Sequence, residues 1–109
     1  MTMSFQHQSL KSGRWQKLSL MEQMANIGSE VSRSLRWRGK DEKLFQGAVD
    51  RTLELFDLTL EDSRWKGRLR EIARAREVFL DAVHGGKEYK SKLEDLDRYF
   101  FQFALACGK

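Results

Sequence analysis

The chain has 109 residues, with 20 Lys plus Arg against 16 Asp plus Glu, a net charge of +4, one cysteine and no proline. That length supports one small core and excludes a second, and no apolar run approaches the roughly 20 residues of a membrane span. A lone Cys107 forms no internal disulfide and the segment from Met1 to Lys17 carries no apolar leader, so the expected compartment is a reducing cytoplasm.

Residues 1 to 15 mix Gln, Ser, Thr, Lys and Gly with scattered Phe5 and Leu10, and are expected to form a flexible arm ahead of a bundle over 16 to 109. Ser19 and Glu22 have capping-box spacing, and Leu20, Met24, Ile27, Val31 and Leu35 then follow at steps of four and three until Gly39. This predicts a first helix over about 20 to 38. Asp41 can cap a second helix running to about 60, whose wide apolar face is Leu44, Phe45, Ala48, Val49, Thr52, Leu53, Phe56 and Leu60. Ser63 can cap a third helix over about 64 to 84, predicted as the longest, with a stripe of Trp65, Leu69, Ile72, Phe79 and Val83 ended by Gly85 and Gly86. Ser91 and Glu94 repeat the capping-box spacing before a fourth helix over about 92 to 106, with Leu93, Leu96, Tyr99, Phe100, Phe103 and Cys107 on one face. Short connections between four amphipathic helices predict an all-α, antiparallel up-down-up-down four-helix bundle.

The residues that carry common chemistries are sparse. His7 lies in the expected arm, His84 sits beside a helix-ending glycine pair, and no Glu stands three residues before a His, so neither a metal site nor a cofactor is expected. Phosphate-loop and dinucleotide glycine patterns are absent, and the serines have helix capping and packing to explain them. Helical ribonucleases of the HEPN class use an Arg, four to six residues and a His; here seven residues separate Arg76 from His84. Arg76 falls on the apolar stripe of helix three, so it is expected to lie at least partly buried with a carboxylate partner such as Glu22 or Glu30.

Helix one has a polar line of Glu22, Asn26, Ser29, Arg33 and Arg36, with the small residues Ala25 and Gly28 beside it to admit another backbone. Within it, Asn26-Ile27-Gly28-Ser29-Glu30 resembles the Asn-Ile-small-Glu segment of bacterial four-helix-bundle proteins encoded in ribosomal-RNA intervening sequences, with one extra residue between Ile27 and Glu30. Accessory variability proteins of diversity-generating retroelements share that bundle type. The resemblance implies a basic, non-enzymatic protein that assembles into ring-shaped pentamers, and the retroelement members associate with a reverse transcriptase and RNA. Asn26 and Glu30 are the positions it carries over, expected as polar residues buried in the bundle.

Two basic clusters contain aromatic residues, a combination that suits nucleic acid because charge takes up phosphate and rings stack on exposed bases. Arg33, Arg36, Arg38, Lys40 and Lys43 surround Trp37, and Arg64, Lys66, Arg68, Arg70 and Arg74 surround Trp65. The second cluster faces Asp50, Glu54, Asp57, Glu61 and Asp62 across the expected turn, so the first is the stronger candidate surface. Phe101 and Leu105 lie away from the helix-four stripe, where a lone bundle leaves them in water, and predict a homo-oligomer. Together these features predict a non-catalytic adaptor that associates with RNA or with a nucleic-acid-processing protein. The alternatives are an antitoxin-like protein-interaction module and a divergent helical ribonuclease.

Overall fold

The computed structural model describes residues 13–108, and within them the protein is all helical with no strand. The four main helices are α1 (Leu20–Trp37), α2 (Glu42–Leu60), α3 (Leu69–Val83) and α4 (Leu93–Ala106). Residues 1–12 of the expected arm lie outside the described residues. Trp15, at the arm's expected boundary, is fully buried in a short 3-10 helix, Trp15–Lys17, and belongs to the core.

Local chemistry starts each helix. Ser19 Oγ accepts from the Glu22 N–H at 3.1 Å while Glu22 Oε1 accepts from the Ser19 N–H at 2.8 Å, the reciprocal capping box expected for α1. Asp41 Oδ1 accepts from the Leu44 N–H at 3.0 Å and opens α2. For α4 the cap falls one residue later than Ser91 suggests: Asp95 Oδ2 accepts from the Lys92 N–H at 3.0 Å. Gly39, at φ +77°, turns the chain between α1 and α2, where the Lys40 and Asp41 N–H groups both donate to the Trp37 carbonyl.

The third predicted helix is corrected. Residues Ser63–Arg68 form a 3-10 segment kinked at Trp65 (φ −103°, ψ 26°), α3 starts only at Leu69, and α2, with 19 residues, is the longest helix. Asp62, not Ser63, caps the segment by accepting from the Arg64 N–H at 3.1 Å. The kink has a partner across the bundle, because Trp65 Nε1 donates to Gln23 Oε1 at 2.8 Å.

The helices pack in a ring, with α1 against α2 and α4 and with α3 against the same two neighbours. Gln23 of α1 reaches Asp62 beyond the end of α2, and Glu30, two turns on, reaches Arg51 at 3.3 Å. Partner numbers thus fall along α2 as they rise along α1, the order expected of an up-down neighbour. The core is centred on Ile27, Val31, Phe56, Ile72, Phe79, Leu93 and Phe100, with Phe56 and Phe100 in edge-to-face contact at 6.1 Å. Gly28 lets α1 approach α4, since a Cβ there would lie 2.7 Å from Phe100 Cβ.

In α3 the buried positions are Ile72, Ala75, Phe79 and Ala82. The small alanines, rather than Leu69 and Val83, complete its inner face, which turns Arg76 onto the flank. Arg76 Nε pairs with Asp57 Oδ1 of α2 at 3.0 Å, with the Arg76 side chain 30 % exposed. Its partner is therefore on α2 and not Glu22 or Glu30 of α1.

Candidate nucleic-acid interface

The α1–α2 turn brings the first basic cluster together at one end of the bundle. Arg33, Arg36, Arg38, Lys40 and Lys43 are all exposed, and Trp37 between them is half-buried with its ring packed against the core. Their surroundings differ. Arg33 lies 3.8 Å from Glu30, which also takes Arg51, and Arg38 Nη2 donates to the Ala82 carbonyl at the end of α3 at 3.3 Å. Arg36, Lys40 and Lys43 have no salt bridge to any described carboxylate. Asp41 is occupied as the α2 cap and Glu42 is the other acid of the turn, so the turn carries an excess of positive charge.

In the second cluster Arg64, Arg68 and Arg74 are engaged, whereas Lys66 and Arg70 are exposed with no salt bridge to any described carboxylate. Arg64 binds both carboxylate oxygens of Asp62, at 3.0 and 2.7 Å, donates to the Leu18 carbonyl at 2.7 Å and lies 4.4 Å over the Trp65 ring. Arg68 pairs with Glu71 at 2.9 Å and Arg74 lies over Tyr89. Asp62 is 4 % exposed and its carboxyl is held down to about 2, chiefly by the Arg64 side chain against the opposing cost of burial. Gln23, fully buried, links this group to the core: its Nε2 donates to Asp62 Oδ2 at 3.1 Å and to the Trp15 carbonyl at 2.9 Å. Trp15 Nε1 in turn donates to Thr59 Oγ1 at 3.0 Å. Every polar member of this network has a partner, so it serves the fold.

The polar residues carried over from the resemblance separate. Glu30 is half-buried between Arg33 and Arg51. Asn26 is exposed, and its Nδ2 donates back to the Glu22 carbonyl one turn earlier at 2.8 Å, which corrects the expectation that it is buried. Among the described residues the buried polar side chains are Gln23, Ser34, Thr52, Thr59 and Asp62.

Phe101 and Leu105 are 60 % and 59 % exposed, as their helical phase predicts. Phe101 borders a shallow recess of about 80 Å³ between α1 and α4 that also involves Ala25, Gly28, Ser29 and Ala104. Arg76 on α3 and His84 at its C-cap stand eight residues apart, about 12 Å of rise. Arg76 is engaged by Asp57, and His84 Nδ1 lies 2.9 Å from the Leu80 carbonyl. Among the described residues no His, Cys, Asp and Glu side chains cluster as metal ligands do, and no helix is long and apolar enough to cross a membrane.

One part of this end of the molecule escapes sequence reasoning. The bond from Arg38 to Ala82 places the α3–α4 connection, residues 84–92, beside the α1–α2 turn. Lys87, Lys90 and Lys92 on it are exposed and have no salt bridge to any described carboxylate. They are scattered singly among Glu88, Tyr89 and Ser91, and the fold puts the connection that carries them at the same end of the bundle as the first cluster, with Glu88 and Tyr89 held against Asp81 and Glu77 of α3. Comparison with protein-family models, curated proteins and solved structures found no match to the chain.

Proposed function

We propose that this protein is a non-catalytic cytoplasmic adaptor that binds RNA, or another single-stranded nucleic acid, through the α1–α2 turn and associates with a nucleic-acid-processing protein such as a reverse transcriptase. The observation that carries the reading is the exposure of Arg36, Lys40 and Lys43 without acidic partners on one turn, in contrast to Arg64, which is bonded to the buried Asp62. Cations already matched inside the fold gain little from phosphate, whereas unmatched ones release the counterions of the strand. Arg33 and Arg38 flank the contact. Trp37 offers only the outer part of its ring for stacking, because the rest supports the core. Phe101 and Leu105 provide the surface through which copies of the chain associate.

Fluorescence anisotropy of a labelled RNA oligomer tests the reading. Wild-type protein binds at low salt, and neutralisation of about three to five phosphates makes the affinity fall steeply as salt rises. Arg36→Glu combined with Lys40→Glu abolishes most of that affinity and leaves the helical circular dichroism unchanged. No binding by folded wild-type protein at low salt would favour the antitoxin-like protein-interaction module instead.

A further inference from the structure

We propose that a bound strand continues from the α1–α2 turn onto the α3–α4 connection, where Lys87, Lys90 and Lys92 take up further phosphates. The inference rests on the nucleic-acid reading above and extends its footprint to residues on a separate pair of helices. Two contacts place the two ends of that connection. Arg38 joins the end of α3 through the Ala82 carbonyl, and Ser32 of α1 hydrogen-bonds Asp97 of α4. One helical turn beyond Ser32 is Arg36, and one turn back from Asp97 is Leu93, so Lys92 at the α4 cap stands level with Arg36.

The connection is also built to hold its shape. The two oxygens of Asp81 accept from the Glu88 N–H at 3.0 Å and the Tyr89 N–H at 2.9 Å, while its carbonyl accepts from the Gly86 N–H at 2.7 Å. Gly86, at φ +72°, passes so close to Ser91 that a Cβ would lie 2.7 Å from the Ser91 oxygen. Tyr89 adds a hydrogen bond from its hydroxyl to Glu77 at 3.1 Å. A loop tied at these points presents its lysines without a large ordering cost on binding.

The nearby acids are mostly engaged. The Tyr89 and Glu88 backbone N–H groups hold the Asp81 carboxyl below the usual carboxylate range, and Asp95 accepts from Lys92 N–H and from Arg98. Asp81 and Asp95 keep their charge, and Glu77, Glu88 and Glu94 also border the connection, but within the two turns themselves, residues 36–43 and 84–92, seven cations face only Asp41, Glu42 and Glu88. A single strand suits this path because its backbone can bend from one turn to the other, and its bases need no groove.

The test compares three double variants for binding to a labelled RNA oligomer, each checked for helicity. Lys87→Glu with Lys90→Glu is expected to weaken binding about tenfold at low salt and to lower the salt dependence by about the share of two phosphates. Lys66→Glu with Arg70→Glu makes the same change of net charge at the other end of the bundle and is expected to weaken binding less than twofold. Arg36→Glu with Lys40→Glu reports on the α1–α2 turn itself. Wild-type affinity in the Lys87 and Lys90 variant, alongside loss in the Arg36 and Lys40 variant, overturns the extended path and keeps the adaptor reading. Equal losses at the two ends overturn it as well, because net charge alone then accounts for the effect. Failure of folded wild-type protein to bind removes both proposals.

Discussion

Asp62 carries an unusual number of bonds for one carboxylate, with Gln23, the Arg64 guanidinium and the Arg64 N–H all donating to it in a site that is 4 % exposed. Removing it takes four hydrogen bonds from a buried site and leaves those donors only the Gln23 bond to Trp15 and the Arg64 bond to Leu18, so Asp62→Ala is expected to lower stability by about 1 to 3 kcal/mol in urea denaturation at neutral pH. The pH dependence has a definite sign. The folded carboxyl titrates at about 2 against 3.8 for an ordinary aspartate, so its contribution is complete above about pH 4 and is lost as the pH falls towards 2. Wild-type and Asp62→Ala stabilities should therefore converge over that interval; a constant difference down to pH 2 would show that the charge is not involved. Arg76 makes the contrast, because its pair with a 54 % exposed Asp57 is screened by solvent and adds little to stability.

The contact between α1 and α4 depends on a missing side chain. Gly28→Ala improves intrinsic helix propensity by roughly 1 kcal/mol, yet the new methyl would lie 2.7 Å from Phe100 Cβ, an atom fixed to the α4 backbone. The helices must then separate, and the variant is expected to be net less stable by about 1 to 3 kcal/mol in thermal or urea melts; a stabilised variant would mean that α4 yields freely. This close approach was legible in the sequence, since Ala25 and Gly28 stand beside a polar line, and so were the caps at Ser19 and Asp41, whose partners lie three residues away. What was not legible depends on residues distant in the chain. The Trp65 kink is held by Gln23, 42 positions earlier, and nothing near Trp65 announces it. Arg76 is partly buried with a carboxylate partner as expected, but its direction and its partner differ because large apolar residues defined the stripe of α3, whereas Ala75 and Ala82 settle which side faces inward. The candidate site divides in the same way: Arg36 to Lys43 form a contiguous cluster, but only the fold puts the connection carrying Lys87, Lys90 and Lys92 at the same end of the bundle.

At the scale of the whole molecule, three exposed apolar side chains, Met21, Phe101 and Leu105, belong to α1 and α4, the most intimately packed helix pair. Association of copies through this face is tested by light scattering at tens of micromolar. Wild-type protein is expected to exceed the monomer mass of 12.8 kDa, and Phe101→Glu to return it to monomer while keeping its helicity; a monomeric wild-type protein would refute association through Phe101. The pentamer implied by the resemblance is one mass that the same measurement reads. The distribution of the three tryptophans gives the molecule a further property. Trp15 and Trp65 sit in the Gln23 network, where indole N–H groups are hydrogen-bonded, while Trp37 stands at the basic end with part of its ring in solvent. Subtracting the emission spectrum of Trp37→Phe from that of the wild-type protein isolates the indole next to the proposed ligand. Quenching confined to that difference spectrum would follow occupancy, and the remaining emission would follow the integrity of the opposite end, so one unlabelled sample reports both events at once.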